Sequence, residues 1–357
     1  MIFKKAKVYK LKDAALSGSE LKELAGILEA GQVIVFPTET VYGLGCLYKS
    51  QAGEEEIFGI KNRKPQKKLP IMIKDLRTIE SYFKCKPSSL AKDIMHKFMP
   101  GPLTVVMKDA SGNSFAFRVP AHKFILDLIS VCRRPLVATS ANVSGEKPAV
   151  DFTQAHHVFF NKVAAIIDGG RCRVGEPSTI IDLRETDTFK VIREGVYSQE
   201  LIKTALSNPK NILFVCTGNS CRSILAQAVL EKELKDNKNT DILVASAGTA
   251  ALENMPPSQG TIRILEGAGI KTDKYKAKRL TPKILKQADL VLTMERAHMD
   301  YILEHNPKLK YKTFSFLKFA FGLEDEIQDP IGKDIDEYRK VFSLIKEAMR
   351  EIIKKIT

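Results

Sequence analysis

Residues 211–234 read NILFVCTGNSCRSILAQAVLEKEL, and this stretch decides the architecture of the second half of the chain. Ile212–Val215 is a short apolar run with β-branched and aromatic residues, the pattern of a buried strand. From about Ser223, SILAQAVLEKEL has the spacing of an amphipathic helix. Between them sits a tight loop with two cysteines, a glycine and an arginine. The alternation continues downstream: DILVASAG (241–248) and DLVLTM (289–294) read as strands, a helix surrounds Ile262–Gly267, and a long helix runs from about Ile335 to Ile356. Strands alternating with helices predict a parallel α/β sheet.

Three chemistries compete for the loop: a disulfide scaffold, a metal site and a phosphate-binding catalytic loop. The six cysteines (Cys46, Cys85, Cys132, Cys172, Cys216 and Cys221) are sparse. No CxxC pairs with a second CxxC or with a spaced histidine pair, so neither a disulfide framework nor a zinc site is expected, and no metal ligand is assigned. A reducing cytoplasm is the expected compartment. A phosphate fits better. Loop N–H groups at a helix N-terminus concentrate positive potential. The same field is expected to lower the pKa of Cys216, making it a thiolate nucleophile. Arg222, in C-x5-R spacing, can grip two phosphoryl oxygens bidentately. Gly218 permits close backbone approach, Asn219 tolerates left-handed dihedrals, and Ser223 can donate to the sulfur. Thr217, Ser220 and Cys221 complete the loop. The spacing alone leaves open a buried strand-end cysteine beside an unrelated arginine; the full string after a strand and before a helix narrows that alternative. Asp329, in EIQDPIGKD, is either a simple Asp-Pro turn or the acid that such a mechanism needs.

The string V-C-x-G-N-x-C-R-S at 215–223, SAGT at 246–249 and the late Asp329-Pro330 resemble the low-molecular-weight phosphatase family, over about residues 210–357. The resemblance implies a flavodoxin-like parallel-sheet domain that needs no cofactor. In it Cys216 is the nucleophile, Arg222 the phosphoryl binder, Asp329 the acid, and a phosphoprotein the substrate. Cys221 matches the family's second loop cysteine, which can trap Cys216 as a disulfide; a plain loop-packing role is the alternative. The chain departs from the family at Ile224, Gln227 and Ile331, where proline, glutamate and an aromatic are usual. Tyrosine-directed relatives carry a bulky aliphatic at the position of Ser220 and arginine-directed ones a threonine. The retained hydroxyl, with no aromatic at Ile331, leads us to expect phosphoarginine over phosphotyrosine. The related arsenate reductases relay a disulfide through later cysteines, and none follows Cys221.

Outward from this segment, 357 residues suggest two domains, and 44% hydrophobic with 27% charged residues describe a soluble globular chain. No run reaches about 18 apolar residues, so no membrane span is expected, and MIFKKAKVYK lacks the apolar stretch of a secretory signal. The NPKN segment (208–211) reads as a linker between domains at 1–207 and 208–357, with SQELIKTALS closing the first. The net charge of +14 fits a lysine-rich solvated surface, except that KNRKPQKK (61–68) suits a polyphosphate or an RNA backbone. Upstream, QVIVFPTE, LPIMI, PLTVVM, FAFRVP, RPLVATS, AAIIDGG and STIIDL read as strands, with helices such as Gly18–Ala30 and Ser88–Phe98 between them.

No GxxxxGK[ST] or GxGxxG occurs in residues 1–207. Instead FPTETVYGLG, KNRKPQKKL, PGPLTVV, FRVPAH, TSANVSG, STIID and IREG place hydroxyls, glycines and arginines at strand ends, as a polar cavity requires. Singly each is a turn or cap. Their order resembles the threonylcarbamoyl-AMP synthase family, the YrdC-like domain, over about residues 5–200. The resemblance implies a twisted open α/β sheet with a basic concave cavity. It implies formation of threonylcarbamoyl-adenylate from L-threonine, bicarbonate and ATP, with Mg2+ on the triphosphate, for modification of tRNA adenosine 37. Thr40, Arg118 and Ser178 would contact threonine; Lys61, Arg63, Ser140, Asn142 and Arg193 would surround ATP. Lys67-Lys68-Leu69 and Met72 depart from the usual Asn-Pro-Leu and histidine. The expectation is thus a cytoplasmic bifunctional enzyme. A tRNA or double-stranded RNA contact and tRNA threonylcarbamoyl-transfer machinery downstream are its implied partners. The alternative is a non-catalytic RNA-binding first domain with a tyrosine-specific phosphatase.

Overall fold

The computed structural model describes residues 5–62, 68–143, 145–185, 187–238 and 241–357. They form two compact units, Met1–Ser198 and Gln199–Thr357. The helix Gln199–Leu206, which the sequence suggested would close the first half, has its packing partners in the second unit. Its Thr204 hydroxyl, for instance, donates to the Tyr311 carbonyl at 2.7 Å.

The first unit is one ten-stranded sheet. In chain order its strands are β1 (Lys7–Lys10), β2 (Ile34–Phe36), β3 (Gly43–Leu47), β4 (Ile71–Met72), β5 (Leu103–Lys108), β6 (Ser114–Arg118), β7 (Leu136–Ser140), β8 (Ala165–Asp168), β9 (Thr179–Asp182) and β10 (Lys190–Arg193). Their spatial order is β1-β8-β2-β3-β7-β4-β6-β5-β9-β10. Parallel pairs such as β2–β8 and β5–β9 mix with antiparallel pairs such as β3–β7 and β5–β6. The helix Gly18–Glu29 starts at a capping box in which Ser17 and Glu20 satisfy each other's backbone N–H. It lays Leu21, Leu24 and Leu28 on the sheet beside Phe124 and Leu128 of the helix Lys123–Cys132, over Ile34, Phe36 and Ile167. Each such side chain contributes about 1.5–3 kcal/mol by leaving water.

Strand β3 departs from the turn or cap expected within FPTETVYGLG, because GLGCL has too little β propensity to read as a strand. Its glycines answer to neighbours. A Cβ on Gly45 would lie 2.5 Å from the Val137 carbonyl, and one on Gly43 would lie 2.9 Å from the Phe36 ring.

The second unit has four strands, β11 (Asn211–Cys216), β12 (Leu243–Gly248), β13 (Leu290–Thr293) and β14 (Thr313–Ser315), in the order β12-β11-β13-β14 with every pair parallel. The chain leaves β11 for one side of the sheet and then crosses to the other. The carboxyl end of β11 is therefore a switch point, where a crevice opens in doubly wound sheets. Cys216 is its last residue. The helix Ile335–Ile356 begins where the Asp334 carboxylate accepts from the Asp336 and Glu337 N–H groups. It turns Val341, Ile345, Ala348, Met349 and Ile352 inward at helical spacing, against the helix Arg222–Asp236. Among the described residues no helix is long and apolar enough to cross a membrane.

Two candidate active sites

The loop after β11 is held from within. Asn219 is fully buried with φ of 50°, the left-handed conformation asparagine tolerates. Its Nδ2 donates to the Ser223 and Ser246 hydroxyls, each at 2.8 Å, and its Oδ1 accepts from Lys278 N–H at 2.8 Å. Ser246 passes the chain on to Gln227 Oε1 at 2.7 Å. Cys216 Sγ lies 3.0 Å from Ser223 Oγ and accepts from Asn219 N–H at 3.3 Å. Gly218 has a negative φ, and an added Cβ would meet only Ser220 Oγ, at 3.4 Å. Apart from its chain neighbours, no other described residue lies within 4 Å of that position, which leaves the loop backbone open to close approach. The N–H groups of Gly218, Ser220 and Cys221 hydrogen-bond to nothing among the described residues. With the start of the helix Arg222–Asp236 they form a cradle for an anion.

Arg222 is 1% exposed, the largest fully buried side chain among the described residues. Its Nη1 pairs with Glu295 Oε1 and donates to the Ile327 carbonyl at 2.9 Å, while Nη2 donates to Asp329 Oδ2 at 2.5 Å. Its Nε is buried with no hydrogen-bond partner. A buried guanidinium N–H without an acceptor is expensive, so this atom marks where an oxyanion belongs. Asp329, more than a hundred residues from the loop in sequence, is brought against it; its other oxygen accepts from Ile331 N–H at 3.1 Å.

One expectation is corrected here. Burial pushes the Cys216 thiol up, and the Ser223 hydroxyl, the Arg222 charge and the Asn219 N–H only oppose that rise. Burial is the largest influence, and the Arg222 charge that opposes it is at the same time paired with Glu295 and Asp329.

The second candidate is a cavity of about 300 Å³ in the first unit, lined by Thr38, Thr40, Lys68, Thr104, Arg118, Ser140, Ser178 and Arg193 among others. Arg118 is buried at its wall. Its Nη1 donates to Thr40 Oγ1 at 2.9 Å, its Nε to the Gly101 carbonyl at 3.0 Å, and its Nη2 pairs with Glu39 Oε1 at 2.6 Å. Ser178 Oγ is 2.9 Å from Thr104 Oγ1, and Arg193 donates to the Ser178 carbonyl at 2.7 Å. Burial, and then the like charge of Arg118, pull the Arg193 guanidinium down. Two guanidiniums facing one carboxylate leave the cavity positive. Lys61, at the end of the helix Gln51–Lys61, reaches the Ser140 carbonyl and Asn142 Oδ1, at 2.5 and 3.1 Å. Thr40, Arg118, Ser178, Ser140, Asn142, Lys61 and Arg193 therefore meet around one cavity or its rim. Arg63 and Lys67 lie outside the described residues.

Comparison with known proteins finds a different family in each half of the chain. The Sua5/YciO/YrdC family profile, described as telomere recombination, matches residues 26–195, and that of the low molecular weight phosphotyrosine protein phosphatases matches 211–357. A putative threonylcarbamoyl-AMP synthase of Methanocaldococcus jannaschii is 34% identical over 46% of this chain and 81% of its own length. The YwlE arginine phosphatase from Geobacillus stearothermophilus is 34% identical, covering 42% of this chain and 93% of that one, with a TM-score of 0.39. The chain joins a Sua5/YrdC domain to a low molecular weight phosphatase domain. The threonylcarbamoyl-AMP synthase of Pyrococcus abyssi is 39% identical over 52% of this chain, which spans only 56% of that relative's length.

Within the phosphatase domain, sequence reading missed Glu295 and His298. Both stand at the start of the helix Arg296–His305, just past β13. The signal was available, because β13 ends at the same edge of the sheet as the loop and strand carboxyl ends are where such sites assemble. Within the Sua5/YrdC domain, reading missed the buried Glu39, although it sits inside the PTET segment that was singled out.

Proposed function

We propose that the second domain hydrolyses phosphorylated protein side chains through a cysteinyl-phosphate. The observation that carries it is the buried, unpartnered Arg222 Nε beside Cys216 and Asp329. Phosphoryl oxygens entering the loop meet Arg222 and free Asp329 from it. The Cys216 proton passes through a phosphoryl oxygen to the freed Asp329. Sγ then attacks phosphorus as the bond to the departing group breaks, Ser223 and the Asn219 N–H stabilise the sulfur, and Asp329 hands that proton to the departing group. In the second step Asp329 takes a proton from water as water attacks the thiophosphate, which returns Cys216 and releases inorganic phosphate. Phosphoarginine is the favoured substrate. Ser220 is half buried in the loop, with its hydroxyl 3.7 Å from Cys221 Sγ, and Ile331 is exposed where an aromatic would face tyrosine.

The first domain, in the same reading, makes threonylcarbamoyl-adenylate from L-threonine, bicarbonate and ATP in the cytoplasm, for tRNA modification. Arg118 takes the threonine carboxylate, Thr40 and Ser178 its polar groups, and Lys61, Arg63, Ser140, Asn142 and Arg193 the ATP. The carboxylate of N-carboxy-threonine attacks the α-phosphorus and pyrophosphate leaves, so positioning and charge carry the reaction. Magnesium enters with the ATP triphosphate as part of the substrate complex.

The test is pyrophosphate release by the purified chain with and without threonine, run beside phosphate release from phosphoarginine and phosphotyrosine peptides. Threonine-dependent release and a higher kcat/KM for phosphoarginine are expected. Threonine-independent behaviour with retained RNA binding would instead make the first domain a binding module, and a phosphotyrosine preference would overturn the arginine assignment.

A further inference from the structure

His298 is 4% exposed, beneath the mouth of the phosphatase loop. Its Nδ1 accepts from the Glu295 N–H at 3.2 Å, and its Nε2 lies 2.8 Å from Thr217 Oγ1. These two contacts settle its proton. A nitrogen that accepts an N–H carries no hydrogen, so a neutral ring must carry its proton on Nε2 and donate it to Thr217. The one side chain thus ties the first residue after Cys216 to the residue whose carboxylate pairs with Arg222. A second proton has nowhere to go, because Nδ1–H would face the Glu295 N–H.

We infer that His298 is a positioning residue of the phosphatase loop, whose neutral Nε2–H form holds Thr217 and Glu295 in register with Arg222 and whose protonation releases them. This rests on the phosphatase reading of the second domain. The charged groups facing the ring are Glu295 at the start of its own helix, Arg222 from the helix Arg222–Asp236, and Asp329 and Glu326 from the loop before the last helix. Burial, the largest influence, and Arg222 pull His298 below its ordinary range; Glu295, Asp329 and Glu326 oppose them. The sign follows. A histidine held low stays neutral through neutral pH. Its contribution to stability is full above about pH 6.5 and falls below it, where the unfolded histidine charges, while the clamp itself opens only at the lower pH where the folded ring titrates.

The test compares the full chain with His298→Gln, whose amide nitrogen can still donate to Thr217 but does not titrate. With para-nitrophenyl phosphate, the ratio of kcat/KM, variant over wild type, cancels the ionisations of substrate, Cys216 and Asp329. That ratio should begin below one at pH 7.5, because the Glu295 N–H loses its acceptor, and rise by at least about threefold toward pH 5. A ratio independent of pH would overturn the proposal while leaving the phosphatase assignment standing; an inactive wild type would overturn both. Long-range 1H–15N spectra of the wild type give a reading that does not depend on a folded variant. They should show an Nε2–H tautomer that stays neutral below pH 6.5, and an Nδ1–H tautomer, or an imidazolium at that pH, would overturn the proposal.

Discussion

The two candidate sites are built by opposite designs. In the phosphatase domain, nine consecutive residues, Val215–Ser223, supply nucleophile, cradle and guanidinium, and the loop is locked by a single buried asparagine. In the Sua5/YrdC domain no segment is sufficient. Thr40, Arg118, Ser140, Ser178 and Arg193 come from five separated stretches and converge only because a ten-stranded sheet orders their strand ends around one cavity. A site built from a contiguous backbone should fail all at once when its anchor is removed. A site built from dispersed side chains should lose function residue by residue.

The largest effect expected is that of Cys216→Ser. A hydroxyl in place of the thiol should lower phosphatase kcat by about 10³-fold or more, while threonine-dependent pyrophosphate release stays at the wild-type rate. Phosphatase activity within tenfold of wild type would remove the covalent mechanism, and a parallel loss of pyrophosphate release would break the separation of the two sites.

Arg118→Ala follows. It removes the group assigned to the threonine carboxylate and strands the buried Glu39, for a loss of about 3–5 kcal/mol in stability when a buried pair loses one partner. The kcat/KM for threonine should fall by about 10²-fold or more. Adding Glu39→Gln should restore much of the stability in thermal melts and none of the activity. Recovery of activity in the double variant would show that Arg118 acts only as a structural partner.

Asn219→Ala sharpens the contrast from the other side. It deletes three hydrogen bonds and leaves a non-glycine residue with positive φ, so roughly 2–4 kcal/mol of stability is expected to go, with phosphatase activity falling in step. Asn219→Gly relieves the dihedral alone and should recover only about 1 kcal/mol. Denaturant midpoints of the two variants that coincide with wild type would mean the loop is held elsewhere.

The smallest effect is Ser220→Ile. Replacing a hydroxyl beside the leaving group by an aliphatic should shift relative kcat/KM toward phosphotyrosine by about 1–3 kcal/mol. An unmoved ratio would assign substrate choice to other residues, with the exposed Leu252 and Ile331 the next to change.

The sequence by itself determined what local rules govern. The βα alternation, the loop between β11 and its helix, the left-handed tolerance of Asn219 and the span of the last helix, Ile335–Ile356, follow from periodicity, turn chemistry and capping within a few residues. Tertiary structure decided whatever depends on distant chain segments meeting. Gly43–Leu47 forms a strand because β2 and β7 pair with it on either side, and Phe36 and Val137 leave room there only for glycine; none of these neighbours is visible from GLGCL. The Cys216 thiol is pushed up by burial that only the fold creates, while the Arg222 charge that opposes the rise is paired with Glu295 and Asp329, 73 and 107 residues away in sequence. Spacing can announce a charge. Only the folded chain shows which opposite charges have already been brought beside it, and in a buried site that pairing sets the field a substrate meets.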